Sequence, residues 1–332
     1  MPSLPTVPLR ALRPATFATV VATGAIVVTG AAVRLTDSGL GCPTWPRCTA
    51  ASVASGSGHG LIEFGNRVVS TVLFLVVAAT LLLVLRLRER RRDLRLLAGA
   101  MVAGYLGNAV IGGITVLTHL DPWAVSLHLL WNMALLVAAV ALHVRAGRPA
   151  RARPGWRVSR ETAVLAAALP VVGALVLAAG TLTTGTGPHA GDRSAPRLHL
   201  LPLERITAAH AELAMLMSGL VLALLLVTQV SSAPPLLRRR AAQLGLITLV
   251  QVVLGFAQYL LHLPPELVLL HVAGATVLWI AALGTLTAAR GWEWPDTPSA
   301  PRAGAGAAEV VVPVAAGSPV AAPGVDPALV PA

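Results

Sequence analysis

Eight apolar runs, each near the ~20 residues that carry a helix across a bilayer, constrain this chain more than any other feature. They fall at about 15–35, 64–85, 96–117, 122–144, 162–184, 205–228, 242–262 and 265–289. Lipid offers no partner to a backbone N–H or C=O, so runs of this kind fold as helices that bond internally. Of the 332 residues, 55% are hydrophobic and 12% charged, a balance outside that of soluble domains. The predicted fold is therefore an all-α polytopic membrane protein with eight transmembrane helices.

Charge sets the orientation. Every basic residue is Arg, and 19 of the 25 fall before the first run, between the second and third, fourth and fifth, or sixth and seventh, or after the eighth. Arg86–Arg95, Arg145–Arg160 and Arg238–Arg240 are the main clusters. The positive-inside rule then puts both termini in the cytoplasm of a multi-pass protein of the cell membrane. The net charge of +11 does not form the basic, aromatic-interleaved face of a nucleic-acid binder. Arg10 and Arg13 before an apolar run resemble a signal peptide, but no cleavage site is evident, and the run reads as a retained first helix.

The chain repeats itself. Gly112, His119, Leu120, Pro122 and His128 match Gly255, His262, Leu263, Pro265 and His271 at a constant spacing of 143 residues (255 − 112). A weaker echo pairs Gly24-Ala-Ile-Val with Gly173-Ala-Leu-Val. The expected organisation is two pseudo-symmetric four-helix bundles, at 15–144 and 162–289, each with an even helix count and so with the same sense in the membrane. Residues 1–14 are a cytoplasmic N-terminus and 145–161 a cytoplasmic linker. The Ala-, Pro- and Gly-rich stretch 290–332 lacks periodicity and reads as a disordered tail.

Histidines in membrane helices are functional suspects. His210 lies five residues into the sixth run and His271 six residues past Pro265, so both sit roughly 8–9 Å below the outer boundary. Two imidazoles at one depth can clamp heme iron between them, or each can hydrogen-bond across helices. The first half offers His128 at the same depth as His271, but the expected partner position is Asn66, a poor iron ligand. Beside it stands "LIEFGNR", in which Glu63 and Arg67 form either a bracing i,i+4 pair or a working acid/base and its support. A saturated bis-His iron suits electron transfer, and a site with one firm ligand suits chemistry. His119 and His262 fall at helix junctions. His59, His189 and His199 lie in outer loops, and His143 near an inner helix end. Cys42 and Cys48, in an outer loop, are a disulfide or redox-active pair, or free thiols.

The motifs "RLTDSGLGCPTWPRC" (34–48), "EFGNR" (63–67), "GGITVLTHLDPWAVSLH" (112–128), "TTGTGPHAGD" (183–192), "HAELAML" (210–216) and "LLHVAGATVLW" (269–279) together resemble heme A synthase in its actinobacterial form. The resemblance implies oxidation of the C8 methyl of heme O to the formyl of heme A, for cytochrome c oxidase. It implies heme b in the second half on His210 and His271, and a substrate heme in the first half on His128. Glu63 takes the place of the catalytic carboxylate, Asn66 and Arg67 the rim of that site, and Cys42 and Cys48 the loop pair. Heme O is the implied substrate, with heme O synthase and an electron carrier as further partners. Two other readings share the architecture: a b-type electron carrier that does no chemistry on heme, and a transporter.

Overall fold

The computed structural model describes residues 7–54, 56–150 and 152–293. After a short 3₁₀ turn (Leu9–Ala11) come α1 (Leu12–Leu35), α2 (Gly58–Leu85), α3 (Arg92–Leu117) and α4 (Pro122–Ala146). Strand β1 (Arg153–Trp156) leads into α5 (Arg160–Thr186), α6 (Leu203–Val230), α7 (Pro235–Leu260), α8 (Pro265–Ala289) and strand β2 (Arg290–Glu293). All eight α-helices are long and apolar enough to cross a membrane. The chain is an all-α multi-pass membrane protein with one small two-stranded ribbon, β1 antiparallel to β2.

Local chemistry sets the helix starts. Ser57 accepts from the Gly60 N–H at the start of α2, Asp121 from Trp123 and Ala124 at α4, and Ser159 from Thr162 at α5. Proline occupies the first position of α4, α7 and α8, where its missing N–H costs nothing. Two helices begin more than five residues earlier than hydropathy predicts. α2 starts at Gly58 rather than 64, because its first turn is Gly- and His-rich and capped. α7 starts at Pro235 rather than 242, so Arg238–Arg240 ride on its first two turns instead of forming a loop. Residues 290–293, expected within a disordered tail, pair with 153–156; the rest of that tail, 294–332, lies outside the described residues.

α1 packs on α2 and α4, and α3 packs on α2 and α4; α5 to α8 contact one another in the same cyclic order. α1, α4, α5 and α8 join the two groups. The Trp279 indole of α8 donates to the Met133 carbonyl of α4 at 3.0 Å, and Gly24 of α1 admits the Thr276 side chain of α8. The core turns the soluble rule around: Leu75, Leu106, Leu175, Leu222 and Phe256 face outward, while Thr16, Thr19, Thr23 and Thr80 are buried at 0–1% exposure. Thr19 and Thr80 share a 2.9 Å hydrogen bond between α1 and α2, and Thr16 meets the His143 ring at 3.0 Å. Polar contacts of this kind bind helices in lipid, where apolar burial drives nothing.

The repeat reappears in the backbone. His119 and Leu120 have φ of 53° and 62°, and His262 and Leu263 have 63° and 62°. In both turns the leucine N–H reaches back five residues, to Thr115 and to Gln258, at 2.7 Å, the 6→1 bond that closes a helix C-terminus. At the other end of the bundle Arg91, with a fully buried side chain, bonds Asp93 through two nitrogens at 2.8 and 3.0 Å. It also donates to the carbonyls of Arg145 and Arg148, while Arg145 pairs with Asp93 at 2.6 Å. This knot ties α3 to the end of α4. Asp93 is part-exposed, so Arg91→Ala should cost about 2–3 kcal/mol rather than the 3–5 of a fully buried pair. The expected result is a lower thermal unfolding midpoint in detergent.

Candidate functional site

α6 and α8 bring His210 and His271 together. Their ring centroids lie 6.4 Å apart with planes at 74°. A metal–imidazole bond is about 2 Å, and a ring centre lies about 1 Å behind its nitrogen, so two imidazoles on opposite sides of one metal have centroids about 6 Å apart. The observed spacing is of that size. The His210 Nδ1 lies 3.1 Å from the Val176 carbonyl of α5. A histidine that donates through Nδ1 presents Nε2 to a metal, and such an outer partner fixes the ring's orientation. Glycines clear the space: a Cβ at Gly180 would lie 3.2 Å from the His210 Cε1, and one at Gly255 3.5 Å from the His271 Cε1. Gln251 donates to the His271 carbonyl at 3.0 Å. The His271 Nδ1 is buried with no hydrogen-bond partner. Among the described residues no three or more His, Cys, Asp or Glu side chains converge as a metal cage.

The first four helices place His128 in the same relation to α3. A Cβ at Gly112 would lie 3.0 Å from its Cε1, the counterpart of Gly255 and His271. The His128 Nδ1 is likewise buried and unpartnered. Asn66, on α2, has a buried amide oxygen without a partner. α3 and α4 also carry buried polar side chains that sequence reasoning missed. Tyr105, Asn108 and Asn132 are 5%, 6% and 3% exposed, and the Tyr105 hydroxyl and both Asn amide oxygens have no hydrogen-bond partner. The available signal was spacing: Tyr105, Asn108 and Gly112 recur at three and four residues along one face of α3.

Glu63 and Arg67 brace the outer loop. Arg67 donates to Glu63 Oε1 at 2.6 Å, and the Cys42 N–H donates to Glu63 Oε2 at 2.7 Å. Arg67 also donates to the carbonyls of Cys42, Thr44, Pro46 and Arg47. Cys42 and Cys48 are joined as a disulfide with both residues fully buried. Gly41 lies against the His59 carbonyl, where any Cβ would collide. Trp45, in the same loop, lies on Gly113, the residue after the glycine that faces His128. The loop thus caps the end of the bundle that holds His128, and the carboxylate is fixed to its underside. Each carboxylate oxygen keeps a free lone pair.

The remaining histidines have local partners or solvent. His59 meets the Ser38 hydroxyl at 2.9 Å, His189 the Leu263 carbonyl at 2.9 Å, and His199 is exposed. Arg34 donates to the carbonyls of Thr184 and His189 at 2.8 and 2.5 Å, tying the end of α1 to the end of α5 and the loop beyond it.

A sequence model of the COX15-CtaA family, described as cytochrome oxidase assembly protein, matches residues 14–58 and 52–283. The chain is similar to the heme A synthase of Symbiobacterium thermophilum, with 29% identity over 145 residues, 43% of this chain and 47% of that protein. It is similar to the heme A synthase of Geobacillus kaustophilus, with 29% identity over 105 residues, 31% of this chain and 32% of that protein. Against the heme A synthase of Shewanella oneidensis the identity is 25% over 307 residues, 78% of this chain and 91% of that protein. The chain thus spans about half and about a third of the first two relatives, and nearly all of the third.

Proposed function

This chain belongs to the COX15-CtaA family of cytochrome oxidase assembly proteins, and we propose on that premise that it is a heme A synthase. The observation that carries the proposal is the 6.4 Å spacing of the His210 and His271 rings, which suits axial ligation of one heme iron. Heme b held there supplies one-electron transfer. The substrate, heme O, would dock on His128, and its C8 methyl would be oxidised to the formyl group with water as the oxygen source, four protons and four electrons leaving to an external electron acceptor (CH3 + H2O → CHO + 4 H+ + 4 e−).

In this reading the chain's residues divide the work. His128 positions the substrate iron, with Gly112 leaving room for its ring. Glu63 accepts protons released at the methyl carbon or stabilises positive charge there, using the lone pairs that Arg67 and Cys42 leave free. Arg67 holds the carboxylate and the loop in one geometry. The disulfide loop and Trp45 cover the site and limit water. The concentration of Arg between helices and at the ends supports cytoplasmic termini. Heme O synthase, whose product is the substrate, and an electron carrier are the partners that this reaction calls for.

Heme extraction and chromatography on the purified protein test the proposal. Heme O, heme A or a hydroxylated intermediate alongside heme b supports it. Heme b alone favours an electron carrier, and a protein without heme overturns the ligand assignment altogether. A second expectation comes from the glycines. Gly112→Val drives a branched side chain into the His128 ring and should lower heme A formation by about 10–100-fold, whereas Gly255→Ala, whose Cβ would make ordinary contact, should leave the low-spin heme spectrum unchanged.

A further inference from the structure

The Gly112–His128 contact sets a register that puts Asn108 and Asn132 level with one another, one turn deeper in the bundle. Asn108 precedes Gly112 by four residues on α3, and Asn132 follows His128 by four on α4, so in an antiparallel pair registered by Gly112 against His128 they are level. The pairing continues deeper, where the Trp131 indole donates to the Gly104 carbonyl at 2.8 Å. Asn132 donates to the His128 carbonyl at 3.3 Å, which leaves its amide oxygen turned elsewhere. Tyr105 lies one turn below Asn108 on the same face. Its hydroxyl approaches Thr23 but meets no partner with hydrogen-bond geometry; the Thr23 hydroxyl itself donates to the Thr19 carbonyl at 2.7 Å.

Three oxygen atoms without partners, on side chains more than nine-tenths buried, are costly. A buried acceptor left unpaired costs about 1–3 kcal/mol. Amide oxygens accept and do not donate, so the cluster is complementary to a ligand that brings a donor. A heme offers few. Its methyls and vinyls have none, and its ionised propionates only accept. Heme O differs from heme b in one relevant way: a hydroxyl-bearing isoprenoid side chain replaces a vinyl at the porphyrin edge. One helical turn, about 5.4 Å, is on the scale of the distance from a porphyrin iron to that edge.

The other half of the chain supplies the comparison. At the spacing of the repeat, Tyr105, Asn108 and Asn132 correspond to Thr248, Gln251 and Ala275. Thr248 is satisfied by the Leu244 carbonyl at 2.8 Å, Gln251 retains one unpaired oxygen, and Ala275 has nothing to offer. The polar pocket is thus richer beside the lone His128 than beside the His210–His271 pair.

We propose that Tyr105, Asn108 and Asn132 form a pocket that binds the hydroxyl of the substrate's isoprenoid-bearing side chain and so selects heme O over heme b. The pocket rests on the reading that His128 docks the substrate. The substrate hydroxyl shares its one hydrogen between the amide oxygens of Asn108 and Asn132 in a three-centre bond, and the Tyr105 hydroxyl donates to the hydroxyl oxygen. A site built around a hydrogen bond rejects the analogue that lacks it, because its own buried groups are then left bare.

The test is titration of detergent-purified holoprotein with heme O and, separately, with heme b, followed by absorbance. The resident low-spin heme reports that each variant is folded. The wild-type protein should favour heme O, and Asn132→Leu and Asn108→Leu should each cut that preference by about tenfold through weaker heme O binding alone. Tyr105→Phe, which removes one oxygen and little volume, should cut it less. An unchanged preference in all three variants overturns the proposal, as does an equal loss of affinity for both hemes, which would mark a purely structural role. His128→Ala separates the two levels: if it leaves heme O binding intact, the docking assignment itself fails, and the pocket with it.

Discussion

Replacing His271 by alanine should abolish the low-spin heme spectrum expected of the purified protein. The ring is one of two whose centroids stand 6.4 Å apart, and an iron held between them, as proposed, would lose half its axial field when either goes. Loss of a group that only orients a ligand costs about 10–100-fold in metal affinity, and loss of the ligand costs more. The fold should survive, because His271 makes no side-chain hydrogen bond and its backbone carbonyl still accepts from Gln251. His210→Ala should give the same spectrum, with the Val176 carbonyl left without its imidazole partner. A low-spin signal that persists in both variants would place the ligands elsewhere. Supplying imidazole to the His271→Ala protein should restore part of the signal, because the vacated volume faces Gly255.

Glu63→Gln carries the second large effect. A positioned acid or base contributes about 10²–10⁴-fold, and heme A formation in cells supplied with heme O should fall by that order. The change is nearly isosteric. It keeps an oxygen for the Cys42 N–H or for Arg67, but not a charged acceptor for both, so the loop should loosen only modestly. Two readouts separate chemistry from bracing. Arg67→Ala removes four loop carbonyl contacts and the ion pair while leaving the carboxylate, so it should lower stability more and turnover less than Glu63→Gln. If Glu63→Gln forms heme A at the normal rate, the carboxylate is a brace and nothing more.

Much of this was legible in the sequence. Hydropathy located all eight helices, because a membrane span needs length and apolarity and little else. It misjudged the starts of α2 and α7, where a serine cap and a proline begin helices whose first turns carry polar or charged residues. Depth made His210 and His271 a pair before any coordinates did, since depth follows from residue count along a helix. The role of Arg67 stayed open because most of its partners are backbone carbonyls twenty or more residues away in a loop without periodicity. Asn108 and Asn132 escaped notice because an asparagine in a helix is neither an apolar marker nor a metal ligand. What distinguishes them is the absence of a partner, and that exists only in three dimensions.

The two left-handed turns, at His119-Leu120 and His262-Leu263, have a metric consequence. Each joins a pair of helices with no slack, and each separates a glycine from the histidine it faces by the same count, 128 − 112 = 271 − 255 = 16 residues. The meeting of ring and glycine is therefore set by arithmetic along the chain as much as by attraction between the groups. One residue inserted in α4 between Pro122 and His128 would swing the imidazole by about 100° around its helix and carry it off the glycine. The hairpin acts as a gauge, and the chain carries two of them cut to one length.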